Sequence, residues 1–120
     1  MTTHTNRDAY LVGEMRRHAA VVAQLVGRGR GELRNDVVAR YALAHAVMMF
    51  IEAAGKLSAD FERENPRIPL RGVRPIRREI AHPYDLGQVQ VDDDRQWRFA
   101  RDAIPKIAKH LKDAVFPTGE

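Results

Sequence analysis

Apolar residues recur along this chain at helical spacing, with no β-hairpin signal, no low-complexity segment and no internal repeat. The spacing predicts a first helix from about Arg7 to Val26, with Leu11, Met15, Val22, Leu25 and Val26 on one stripe and His18 in line with them. Asn6 is placed to cap it and Asp8 to sit in its first turn. Gly27-Arg28-Gly29-Arg30-Gly31 then breaks the pattern. A second, longer helix is expected from about Leu33 to Glu64. Val38, Tyr41, His45, Met48, Glu52 and Phe61 fall near one face of it, Val37, Ala44, Ile51 and Leu57 fall beside them, and Gly55 is a tolerated weak point. Asn65-Pro66 ends it, because proline pushes the preceding residue out of helical geometry.

Pro66 to Gly72 reads as a connector, and Pro75 suits the first turn of a short third helix, where a missing N–H does no harm. That helix points Ile76 and Ile80 inward and is expected to end near Ala81, since Pro83 disfavours helical geometry at His82, with Tyr84 to Val91 a loop. Asp92, Asp93 and Asp94 cap a last helix that shows Trp97, Ala100 or Arg101, Ile104, Ile107, Leu111 and Val115, is kinked by Pro105, and gives way to a frayed tail, Pro117 to Glu120. The resulting fold class is all-α, a bundle of three long helices plus one short helix.

With 120 residues the chain is expected to form one domain over residues 1–120, of a size that gains from a partner or a second copy of itself. It has no cysteine, which removes disulfides, thiolate nucleophiles and cysteine-based zinc sites and fits a reducing, cytoplasmic setting. No signal peptide or uninterrupted membrane-length apolar run is apparent, so no membrane association is expected. The net charge of +4 says less than its distribution: between Arg67 and Arg78 there are five arginines and no acid. Arginine suits forked contact with phosphate, and Arg71, Arg74 and Arg78 are candidate RNA contacts, although the same run would also serve as a solvated face.

The short helix and the residues just after it carry the candidate chemistry: Arg77-Arg78-Glu79-Ile80-Ala81-His82-Pro83-Tyr84. His82 titrates near neutral pH and suits a proton carrier, and Arg77 precedes it by little more than a helical turn. Cleaving RNA without a metal needs a base for the 2′-hydroxyl, cationic donors for the phosphoryl oxygens and an acid for the leaving oxygen. One Arg-His pair provides a cation and one proton carrier. Two pairs meeting across a two-fold axis provide base and acid together. If Pro83 keeps this stretch extended, Tyr84 projects to the side of His82 and flanks it. The spacing alone is common, and a helix-end histidine with a structural role fits it equally.

These residues resemble HepT-type toxins of the HEPN superfamily. Arg77, His82 and Tyr84 match the family's signature of Arg, four residues, His, one residue, Tyr. Asp8-Ala9-Tyr10-Leu11 through Met15 is similar to the family's first helix, and Phe50-Ile51-Glu52-Ala53-Ala54-Gly55-Lys56-Leu57-Ser58 to its second. Ile68-Pro69 leading to Gly72 resembles the approach to the motif, and Trp97 with Ile104-Pro105 the last helix, so the resemblance spans nearly the whole chain. It implies a helical bundle, a homodimer with both motifs in one cleft, and endoribonuclease activity as the toxin of a bacterial toxin–antitoxin pair. Arg77 and His82 would be catalytic, with neither metal nor cofactor. It also implies silencing by an MNT-type nucleotidyltransferase antitoxin that attaches AMP to Tyr84, placing negative charge and bulk where RNA phosphate must sit. One residue departs from the pattern: Arg78 stands where the family usually has a small polar residue, most often Asn.

Other polar residues read as structural. His45 and Glu52, seven apart on the second helix, are expected to satisfy each other or a backbone group, and His18 to be a half-buried helix residue. His4 and His110 carry no signal, and the aspartate run reads as a cap rather than a cation site. Two other functions remain open at this point: a non-catalytic module holding RNA or the nucleotidyltransferase through the arginine run, and a sensor of nucleotide-like ligands.

Overall fold

A computed structural model describes residues 3–85 and 94–116, with side-chain environments for 6–80 and 94–116. The described elements are all helical: α1 (Thr3–Gly27), α2 (Arg30–Arg34), α3 (Val37–Gly55), α4 (Ala59–Glu64), α5 (Val73–Asp85), α6 (Asp94–Arg98), a π-helical turn (Phe99–Ala103) and α7 (Ile104–Leu111). The all-α bundle therefore stands. Helix α3 forms its centre, packed chiefly against α1, with α5 and α2 on its other sides and α7 against α1. The thinnest dimension is 19 Å, about two helix diameters.

The expected first helix starts earlier than Asn6, which lies inside α1 and does not cap it. Its buried line is Asp8, Val12, Met15, Ala19 and Val22, with Leu11, Leu25 and Val26 half-buried at its margin. Asp8 is thus a core residue with 0 % exposure, not a first-turn acid. Its carboxylate accepts a 2.9 Å hydrogen bond from the Ser58 backbone N–H and a 2.5 Å one from the Ser58 hydroxyl. The same hydroxyl oxygen caps α4 by accepting from the Phe61 N–H at 3.1 Å. Beside it, the Arg7 guanidinium donates to the Lys56 carbonyl at 2.6 Å. The corner between α3 and α4 is therefore pinned to α1 by a charged acceptor in a dry site.

The single helix expected over 33–64 is three helices. Asp36 caps α3, its side chain accepting from the Ala39 N–H. That bond, and then the Arg28 guanidinium at 2.9 Å, hold its carboxyl below the usual aspartate range. The cap is accordingly in place at neutral pH and is lost only as acid titrates through that lowered value. Gly55 is not a weak point within a helix but the last residue of α3, and Ser58 restarts the chain as the α4 cap. The break expected over Gly27–Gly31 is confined to Arg28 and Gly29, with Gly27 still in α1, Arg30 and Gly31 already in α2, and Gly29 at φ 89°, which a side chain would strain. Helix α3 is long and apolar enough to cross a membrane by length and composition, yet 56 % of that stretch is buried by its neighbours, as befits a core helix.

Beyond α4, Asn65 does more than stop a helix. It is buried, and its amide donates to the carbonyls of Phe61 and Val115 at 2.9 and 2.8 Å and accepts from the Val115 N–H at 2.7 Å. The connector is anchored by the buried side chains of Ile68 and Leu70. Pro75 lies in the first turn of α5, as expected. The helix does not end near Ala81; it runs through His82, Pro83 and Tyr84 to Asp85. Pro83 falls in the last turn, where its missing N–H costs one hydrogen bond, and its restriction on His82 is a bias that the packed helix overrides. The strain expected at Pro105 appears as the π turn just upstream, a widened backbone that accommodates a proline unable to donate to the turn before it. Ala100, not Arg101, faces the core with Ile104, Ile107 and Leu111, while Val115 is exposed. Asp94 opens α6; Asp92, Asp93, the expected loop from Leu86 to Val91 and the tail from Pro117 lie outside the described residues.

The Asp8 pin yields a stability prediction. Asp8→Ala removes the acceptor of the half-buried Ser58 N–H and hydroxyl and should cost about 2–3 kcal/mol, because hydrogen bonds to a charged acceptor are worth more than neutral ones. Thermal denaturation followed by circular dichroism should show a fall of roughly 10 °C. An unchanged midpoint would mean that the pair contributes nothing.

Candidate functional site

Helix α5 presents its inner residues, Val73, Ile76 and Ile80, to the bundle and its arginines to solvent. Each arginine has a different setting. The Arg77 guanidinium meets Glu52 on α3, with Nε and Nη2 each 3.0 Å from the same carboxylate oxygen. Arg77 is 49 % and Glu52 30 % exposed, so the pair adds little to stability. Its consequence is positional: it fixes the motif arginine relative to the core helix. Arg74 lies 3.4 Å from Glu62 of α4. Arg71 is exposed on the wall of a 660 Å³ cleft between α4 and the connector. Arg78 is exposed and has no ion-pair partner among the described residues.

The helical path of α5 changes the relations within the motif. In an extended stretch positions 82 and 84 would share a side; in a helix they are about 200° apart. The premise that Tyr84 flanks His82 is therefore lost. Position 82 instead falls one turn after position 78, and position 84 nearly two turns after position 77. The environments of the His82 and Tyr84 side chains lie outside the described residues.

Glu52 is the site residue that sequence reasoning undervalued. The expectation is that it satisfies His45 or a backbone group, but His45 is exposed and Glu52 reaches Arg77 on another helix. The available signal was its place in the Phe50–Ser58 segment, not its spacing from any acid or base. His18 behaves as expected, half-buried, 3.4 Å from Glu14. Among the described residues no group of three His, Asp or Glu side chains converges to hold a metal ion.

Helix α3 also carries an uncovered apolar stripe. Val38 is 75 % and Tyr41 54 % exposed, Val37 is exposed too, and by helical register Val38, Tyr41, Ala42, His45, Met49 and Glu52 line one side. The stripe that the sequence pattern assigned inward is, over this half of the helix, the one facing out. It leads directly to the Glu52–Arg77 pair.

Comparison with known proteins is consistent with this arrangement. The protein named Putative RNase MJ1380, from Methanocaldococcus jannaschii, is 26 % identical over 81 residues, covering 68 % of this chain and 71 % of that protein. No solved structure matches the chain. The family described as Ribonuclease HepT-like matches residues 15–114, which takes in α3, the Glu52–Arg77 pair and the whole of α5, and the chain belongs to that HepT-like ribonuclease family.

Proposed function

We propose that the protein is a metal-independent endoribonuclease, the toxin of a bacterial toxin–antitoxin pair acting in the cytoplasm, whose site forms where two copies meet. The observation that carries this reading is the motif arginine held on the core helix by Glu52, within an unbroken helix that continues through His82. In the reaction, an imidazole takes the proton from a ribose 2′-hydroxyl and the freed oxygen attacks the adjacent phosphorus. Guanidinium groups stabilise the charge on the phosphoryl oxygens. The 5′-oxygen of the next nucleotide leaves with a proton, giving a 2′,3′-cyclic phosphate and a 5′-hydroxyl. One chain offers one motif histidine for two proton transfers; a two-fold pair offers two. Arg71, Arg74 and Arg78 serve as contacts for the rest of the RNA backbone.

Purified protein should cut single-stranded RNA in the presence of a chelator, leaving cyclic phosphate ends. His82→Ala should lower the rate by roughly 10³-fold, within the range of general acid–base contributions, with an unchanged circular dichroism spectrum. Cutting by this variant at the wild-type rate would remove His82 from the site. RNA held at low salt, released steeply as salt rises and intact on a gel would favour the binding-only reading, which Arg78 in the usual Asn place keeps in view.

The apolar stripe of α3 supports the dimer, since an uncovered apolar stripe beside the motif suits a second copy of the same chain. Val38→Asp with Tyr41→Asp should convert the dimer to a monomer in light scattering and abolish cleavage. A dimer that survives both changes would place the interface elsewhere.

An MNT-type nucleotidyltransferase is the partner this reading requires, and Tyr84 the residue it modifies. An adenylyl group at position 84 puts a phosphate two turns along α5 from Arg77, where it competes with RNA for the cation. Co-expression with an MNT-type nucleotidyltransferase should add the mass of AMP to this chain, and Tyr84→Phe should remove the addition. Addition at another residue would discard Tyr84 as the switch.

A further inference from the structure

The two adjacent arginines of α5 are not equivalent, and their difference bears on the reaction itself. Helix α5 is continuous from Val73 to Asp85. At 3.6 residues per turn, position 77 lies about 140° around the helix from position 82, whereas position 78 lies within about 40° of it, one turn back. Arg77 also spends its Nε and Nη2 on the Glu52 carboxylate, which offsets part of its charge and fixes where it can reach. Arg74 has a looser partner, with one nitrogen 3.4 Å from Glu62. Arg78 is exposed and has no such partner among the described residues, and its forked donors suit a phosphate. The residue more usual at this place, Asn, can donate a hydrogen bond but brings no charge.

We infer that Arg78 is a further catalytic residue: the guanidinium that shares the register of His82 on α5 and contacts the scissile phosphoryl group as charge develops on it. Arg77, tied to α3, supplies the fixed cation, and Arg78 the mobile one that tracks the phosphate into the transition state. This inference rests on the nuclease reading above and changes the role of Arg78 from holding RNA to stabilising the reaction. A group that only holds RNA acts equally on ground state and transition state and appears in KM; one that meets developing charge appears in kcat.

The test uses the full chain and a single-stranded oligoribonucleotide, with kcat and KM measured for wild type, Arg78→Ala, Arg78→Asn and Arg78→Lys. Arg78→Ala should lower kcat by about 10²-fold, as removal of one donor to a transition-state oxyanion does, with KM changed far less. Arg78→Lys should recover part of the loss, since it keeps the charge without the fork. The exposed position means that thermal midpoints should stay together, so lost rate is not lost fold. A loss confined to KM, or an Arg78→Asn variant as fast as wild type or faster, overturns the inference while the nuclease reading stands. Wild-type protein that leaves RNA intact, or His82→Ala that cuts normally, overturns the nuclease reading and this inference with it.

Discussion

Helix α3 is apolar on nearly every side, and the bundle consists of the elements that take its surface out of water. Phe50, Ile51 and Val47 are fully buried, and Phe50 meets Phe99 of the π turn edge-on at 6.5 Å. Helix α1 covers one side of α3 and α5 another. The candidate site is a by-product of that second contact: α5 is seated by Val73, Ile76 and Ile80, which turns Arg74, Arg77 and Arg78 outward, and Glu52 stands on α3 at the height where Arg77 emerges. The ion pair does not hold the helices together; the apolar contact does, and the pair then fixes one guanidinium with respect to it.

The same constraint explains which features were legible in the sequence. The all-helical class, the break within Gly27–Gly31, the proline in the first turn of α5 and the Ala100–Leu111 core line come from local rules, and local rules decided them. Register on α3 was not legible, because a helix apolar all round has no unique inward stripe: Met48 went inward while Val38 and Tyr41 on the same nominal face did not. The two breaks within 33–64 were missed because Asp36 and Ser58 read as ordinary helix-surface residues until their capping bonds are seen.

Asp8 and Asn65 were missed for a related reason. A polar residue at a core position is read as a boundary, whereas each of these satisfies backbone groups about fifty residues away in the chain, Ser58 for Asp8 and Val115 for Asn65. Spacing along the chain holds no trace of such a partner. Glu52 is the same case at the site: its partner, Arg77, is on another element, whereas local reasoning offers only His45 or a backbone group as partners within the bundle. His82 shows the opposite failure, a local rule applied too strictly, since the bias imposed by Pro83 yields where the preceding turns are already packed.

On the proposed nuclease reading, a chain with one motif histidine has a chemical deficit as well as an apolar one. In-line attack by a 2′-oxygen requires a proton to be taken on one side of phosphorus and given on the other, and a single imidazole cannot serve both sides in one step. The α3 stripe is short of cover in the same region, adjoining the Glu52–Arg77 pair. Pairing two copies about a two-fold axis through that stripe, as proposed, would cover Val38 and Tyr41 and bring a second motif histidine to the assembly. On this view the exposed apolar face is part of the catalytic apparatus, and the site is left incomplete in the monomer by the same residues that make the monomer's surface unsatisfied.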